Sequence, residues 1–331
     1  MAASEAARDA ARATARPSRV VVVGVLAVGI VAVSASALIT REAYDATGGG
    51  STGRGLLIAL SRLALAAALT LPAWRTRGDA PAVTRLLPPG TGGRAVAGGV
   101  LLGLHFGTWL PSLAFTSIAA STTIVTTVPV WVVLLVWAAR GQRPSARTGV
   151  GIAIAIGGGA LVALGDVDGL DAGSNPLLGN VLALAAAVTY SAHLLLGQEV
   201  QARGLGIWRW TTVVTTVGAV ALVPLVVATA PGEGPFPLRF WVAVVALCVV
   251  SQLVGHSSLT WSTQWISPTL VSVAILLEPV LASAGAAALY DEVPGGLVLL
   301  GAAVLVVGVG LTTLAERPSD PTPADEPVRA P

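Results

Sequence analysis

Apolar residues run along most of this chain in stretches of roughly 18 to 23, interrupted at arginines and at clusters of glycine and proline. That length matches the ~20 residues an α-helix needs to cross the hydrocarbon core of a bilayer. Ten candidate spans follow. The first five are Val20 to Ile39, Gly55 to Trp74, Ala95 to Phe115, Ala119 to Ala139 and Thr148 to Leu164; the second five are Leu177 to Leu196, Trp208 to Ala230, Leu238 to Trp261, Ser267 to Leu289 and Gly296 to Leu314. The connections are short, the longest running from Arg75 to Arg94, so no soluble domain is expected between spans. Residues 1–19, Ala- and Arg-rich, and residues 315–331, Pro-rich, read as disordered cytoplasmic tails. A rival reading takes Val20 to Ile39 as a signal peptide cut near Ala35 to Ala37. Twenty residues is long for a signal core, and its removal would break the repeat described next.

The segment from Gln142, QRPSARTGVGIAIAIGGGALVAL, matches the one from Glu292, EVPGGLVLLGAAVLVVGVGLTTL, at an offset of 150. Pro144 meets Pro294, Gly151 meets Gly301, Gly158 meets Gly308, and Pro129 meets Pro279 without a gap. At an offset of 157, SASALITRE from Ser34 resembles SAHLLLGQE from Ser191. Two five-helix halves result, residues 20–164 and 177–314. Because five is odd, the second half enters the membrane from the opposite side, the plan of many secondary transporters. The expected fold is therefore an all-α integral membrane protein of ten transmembrane helices in two inverted five-helix repeats.

Composition agrees with a membrane protein. Hydrophobic residues make up 54% and charged residues 11% of the 331, and mean hydropathy is +0.79, too few charges to cover a soluble surface. All 19 basic residues are arginine. With the N-terminus inside, fifteen fall on the cytoplasmic side and only Arg41, Arg54 and Arg239 outside, Arg62 lying within a span. The acidic loop at residues 165–171 also falls outside. This places both termini in the cytoplasm of a multi-pass protein of the cell membrane. No basic cluster is interleaved with aromatics, which argues against nucleic acid as a partner. The lone Cys248 excludes a disulfide framework, and the three histidines lack metal-ligand spacing.

Polar residues inside the spans carry the candidate chemistry. Glu278 with Pro279 lies amid apolar residues, where a carboxylate costs ~3 kcal/mol on insertion scales and so faces a cavity or a partner. Proline frees a carbonyl about a turn earlier, which makes Pro129 and Pro279 candidate helix hinges facing a central cavity. Arg62 needs a carboxylate, a carbonyl or an anionic ligand, or snorkels to the interface. His105 and Trp109 share a helix face, as do Tyr190 and His193, and Gln252 with His256 is the preferred pair in an unusually polar span. These seven residues, Arg62, His105, Trp109, Tyr190, His193, Gln252 and His256, are the candidate substrate-binding set, with Glu278 as the coupling acid. Gly157 to Gly159 read as packing residues. A P-loop and a nucleophile motif are both absent from the sequence, so neither ATP drive within the chain nor enzymatic catalysis is expected.

VPVW at 128–131, EPVL at 278–281 and Arg62 within LSRLALAAAL resemble the EamA-type branch of the drug/metabolite transporter superfamily, over residues 20 to 314. One departure is GQRP after the fourth span, where many members carry a Glu; only DEVP at 291–294 keeps that acid. The resemblance implies movement of a small metabolite, often an amino acid or a related compound, without ATP and without cofactor or metal. The expected activity is export by alternating access, either proton-linked or facilitated. The expected partners are a small-molecule substrate, protons and the lipid bilayer, with a homodimer left open. A multidrug exporter of the same fold and a non-transporting receptor or assembly factor stand as alternatives.

Overall fold

The computed structural model describes residues 17–74, 90–141, 143–167, 174–230, 236–262, 264–265, 271 and 274–315. Expectations for the two tails, the linker from Arg75, the acidic loop beyond Val167 and the start of the Ser267 span concern residues outside these. Among the described residues there is no β-strand. The helices are α1 (Arg19–Asp45), α2 (Thr52–Thr70), α3 (Gly92–Ser112), α4 (Ile118–Val125), α5 (Val128–Arg140), α6 (Ala146–Val167), α7 (Pro176–Ala202) and α8 (Ile207–Thr229). They continue with α9 (Leu238–Ala246), a π-helical stretch (Leu247–His256), α10 (Ser257–Ser262), α11 (Leu277–Tyr290) and α12 (Gly296–Ala315).

Local chemistry sets several starts. Ser18, Ser51, Ser117 and Asn175 each accept a hydrogen bond from the backbone N–H three residues on, and so cap α1, α2, α4 and α7. Among the described residues six helical stretches are long and apolar enough to cross a membrane: Arg19–Asp45, Thr52–Thr70, Ile118–Ala139, Pro176–Ala202, Ile207–Thr229 and Leu238–Ser262. Three shorter apolar helices accompany them. The polarity of the bundle is that of a membrane protein, because Val28, Val31, Val220, Val227, Leu299 and Val307 face outward while Arg62, His105, His193, Gln252 and Glu278 are buried.

Helices pair in a pattern that survives exchange of the two halves. α3 packs on α7, and the α9–π–α10 span packs on α1; α4 and α5 pack on α7, and α11 packs on α1. α2 packs on α8, α4 on α11 and α6 on α12. The α6–α12 crossing is the tightest. Gly151 abuts Gly308 while Gly158 abuts Gly301, with backbone so close that a Cβ at any of the four would overlap the facing helix. Early residues of one helix meet late residues of the other, so the two run antiparallel. Ser and Thr hydroxyls within the helices bond back to carbonyls three or four residues earlier, as Thr40 does to Ser36 and Thr215 to Thr211, which satisfies them where water is absent.

The proline positions differ in effect. Pro129 follows a break at Thr126 and Thr127 and stands in the first turn of α5. Pro279 likewise stands in the first turn of α11, and a turn at Leu276 separates that helix from the helical residues Ala274 and Ile275, so the Glu278–Pro279 pair follows a break as Pro129 does. Pro224 lies inside α8 without ending it.

Candidate functional site

The break between α4 and α5 brings polar backbone to the middle of the bundle. The Val128 carbonyl accepts a hydrogen bond from Ser191 Oγ of α7 at 3.1 Å, which pins the broken span to α7. Opposite it, the first turn of α11 presents Glu278. Between them lies a cavity of about 30 Å³ walled by Ser36, His105, Trp109, Thr126, Tyr190, His256 and Glu278. Its size suits roughly two waters.

The aromatic wall is built on α3 and α7. His105 stacks on Trp109 with planes 15° apart, and its ring centroid is 4.7 Å from that of Tyr190. His105 Nδ1 lies 3.0 Å from the Ala186 carbonyl, and His193 Nδ1 lies 2.8 Å from the Gly98 carbonyl. A carbonyl only accepts, so in both rings Nδ1 carries a proton. Tyr190 Oη and His256 Nδ1 share a hydrogen bond of 3.0 Å.

Arg62 lies one layer behind this wall. It is 0% exposed, so it does not snorkel. Its Nη1 donates to Ser36 Oγ at 3.1 Å, and its guanidinium carbon sits 4.0 Å from the Phe106 ring centroid, a cation–π contact. Nε and Nη2 have no hydrogen-bond partner, nor have the Trp109 indole N–H and the Gln252 carbonyl oxygen. No ion pair joins Arg62 to Glu278. Among the described residues, then, a buried cation with two idle donors and a buried carboxylate face one region without touching. Such an arrangement suits a ligand carrying both an acceptor and a donor.

Two further cavities meet the first at Tyr190. One, about 50 Å³, reaches Gln198 and Gln201 and is lined by Pro129 and His193; the other, about 20 Å³, is lined by His193, Gln252, His256 and Ser257. All seven candidate binding residues therefore lie in, or directly behind, the walls of three neighbouring cavities that share Tyr190. Pro279 does not face it. It lines an apolar lateral groove of about 510 Å³ with Ala119, Thr123 and Val298, because its ring lies on the face of α11 away from Glu278.

Sequence reasoning missed Ser36, Phe106 and the π-helical stretch. Ser36 belonged to the small-residue run considered as a cleavage site, and it sits buried in α1 as the partner of Arg62. The crowding of Ser251, Gln252 and His256 was the one visible sign of the π stretch, a geometry that recurs at functional sites. Among the described residues no cluster of three or more His, Cys, Asp or Glu could hold a metal ion.

Residues 177–314 match the model of the EamA-like transporter family. A solved structure described only as the crystal structure of a protein shares 21% identity with this chain, covers 90% of it and 98% of its own length, and superposes with a TM-score of 0.59. At that identity the likeness speaks for the fold alone. The chain matches no curated protein.

Proposed function

We propose that the chain, whose residues 177–314 match the model of the EamA-like transporter family, is a secondary transporter of the cell membrane that exports a small metabolite, an amino acid or related compound, by alternating access. The single observation that carries the substrate class is the unsatisfied pair at the centre: among the described residues Arg62, which reaches the cavity wall through Ser36, has two idle buried donors, and Glu278, which lines the same cavity, has no ion-pair partner. A zwitterion satisfies both at once, its carboxylate toward Arg62 and the Trp109 N–H, its ammonium toward Glu278. Proton coupling follows from the same carboxylate. A proton and a substrate ammonium compete for Glu278, so release of one is tied to uptake of the other.

The ten-span, inverted-repeat architecture is part of this reading. It is supported by the helix pairings that survive exchange of the halves and by the reciprocal contacts Gly151–Gly308 and Gly158–Gly301, which are each other's images at the 150-residue offset. A multidrug exporter is the second reading, favoured by the apolar lateral groove beside Pro279, through which a membrane-dissolved amphiphile would approach.

Reconstitution in proteoliposomes tests the proposal. A competition screen should find saturable transport inhibited by zwitterionic amino acids rather than by hydrophobic cations. Glu278→Gln should abolish accumulation driven by a pH gradient while keeping exchange or downhill flux. Wild-type transport indifferent to the pH gradient would remove proton coupling and leave facilitated transport; transport of hydrophobic cations alone would move the assignment to the second reading.

A further inference from the structure

Two ion pairs outside the central site are counterparts of each other in the two halves. Arg239, at the start of α9, donates through Nε to Glu42 near the end of α1. Arg94, at the start of α3, donates through Nε to Glu199 near the end of α7, at 2.9 Å. Glu42 and Glu199 are the last residues of the matching segments SASALITRE and SAHLLLGQE. Each pair thus ties the first helix of one half to the third helix of the other.

They lie at opposite ends of the bundle. Around Glu42, the Tyr44 hydroxyl donates to the Leu110 carbonyl and the Asn175 amide to the Phe115 carbonyl. Around Glu199, Thr212 donates to the Thr70 carbonyl and Gln264 to Gln201. A transport cycle that opens one end at a time must break these pairs alternately.

A third link makes the ends unequal. After α11 the chain turns at Asp291, whose φ of 55° is left-handed, and the next side chain points back into the protein. Glu292 is 8% exposed. Its Oε1 accepts the Ile118 N–H at the start of α4 at 2.5 Å, and its Oε2 lies 3.5 Å from Arg41 Nη2 of α1. One carboxylate therefore binds α1, α4 and the α11–α12 connection at the Glu42 end. At the repeat offsets, Arg41 corresponds to Gln198 and Glu292 to Gln142, both uncharged. Gln198 lines the cavity of about 50 Å³ that extends from Tyr190 toward the Glu199 end.

We propose that Glu42–Arg239 and Arg94–Glu199 are the two alternating clasps of the transport cycle, and that Glu292 adds, among the described residues, a further clasp at the Glu42 end, so that the resting protein opens at the Gln198 end. The proposal rests on the transport reading. Surface ion pairs are individually weak, but two states of nearly equal energy need only a small difference to exchange populations. Removing a clasp at either end should therefore shift the balance in opposite directions. The buried, doubly engaged Glu292 should matter most.

The test is side-resolved labelling of the full chain. In a Cys248→Ser background, a cysteine introduced at Thr126, which lines the central cavity, is labelled with a membrane-impermeant thiol reagent in right-side-out and inside-out vesicles. The parent should label several-fold faster from the side of the Gln198 end. Glu199→Gln should strengthen that preference by a few-fold; Glu42→Gln should weaken it, and Glu292→Gln should weaken it further or reverse it. Charge-swapped Arg94→Glu with Glu199→Arg should restore the parent ratio, which separates lost pairing from misfolding. Glu42→Gln and Glu199→Gln shifting labelling in the same direction, or a side preference indifferent to all three substitutions, would overturn the clasp assignment. Labelling from one side only, in every variant and with every added solute, would instead count against alternating access itself.

Discussion

At the scale of single residues, Arg62 decides how the site is read. A guanidinium buried without a carboxylate partner is a net cost to folding, since desolvation is only partly offset by one hydroxyl and one aromatic face. If it serves mainly to hold α1 through Ser36, its loss should destabilise the bundle. If it awaits a ligand, its loss should leave the bundle as stable or more so. The expected outcome for Arg62→Met is therefore an unchanged or raised melting temperature in detergent, with apparent affinity for a carboxylate-bearing substrate falling roughly 10- to 100-fold, the worth of one charge-assisted hydrogen bond. Arg62→Lys should not rescue binding, because an ammonium cannot both reach Ser36 and present a planar pair of donors. A melting temperature falling in step with binding would return Arg62 to a structural role. The need for a partner was legible in the sequence, since any cation at that depth has one. The partner was not, because the rotation that aims Arg62 at Ser36 and Phe106 is set by how α2 packs against α1 and α3, which spacing along one helix does not encode.

Elements show a similar division. Hydropathy located the helical stretches because each must match the bilayer, and a run of ~20 apolar residues has few other uses in a chain this poor in charge. It could not tell which prolines break a helix: Pro129 and Pro279 each follow a break, whereas Pro224 is absorbed within α8. It also read Gly157 to Gly159 as one packing motif, and the structure divides them. A Cβ on Gly157 meets nothing within 4 Å, whereas one on Gly158 would run into the backbone of Leu305 at the α6–α12 crossing. Neighbouring substitutions should then have opposite signs. Gly157→Ala should be neutral or stabilise by up to ~1 kcal/mol through helix propensity. Gly158→Ala should destabilise by ~1–3 kcal/mol, as overpacking does where backbone cannot retreat. Thermal unfolding of the two variants in the same detergent compares them directly, and a loss at Gly157 as large as at Gly158 would mean that the crossing does not depend on the close approach.

For the whole molecule, orientation in the membrane is the property that the helices themselves leave free, since a pairing that survives exchange of the halves looks alike from either side. The asymmetry is in the arginines. Among the described residues Arg94, Arg140, Arg143, Arg147, Arg203 and Arg209 fall at one end of the spans, and Arg41, Arg54 and Arg239 at the other. On the proposed topology, cytoplasmic retention of basic loops would put the Arg94 end inside. Between Ser174, which precedes α7, and Ala315, which ends α12, the inverted plan requires five crossings: α7, α8, the α9–π–α10 span, the span that ends in α11, and α12. Five is odd, so reporters fused after Ser174 and after Ala315 should lie on opposite sides, the second in the cytoplasm. An alkaline phosphatase and a fluorescent protein at each point read both compartments. Agreement of the two sites would remove the odd number of crossings and with it the inverted second half. Opposite sides with Ala315 outside would keep the fold and reverse its direction, so that the cavity reaching Gln198 would face away from the cytoplasm.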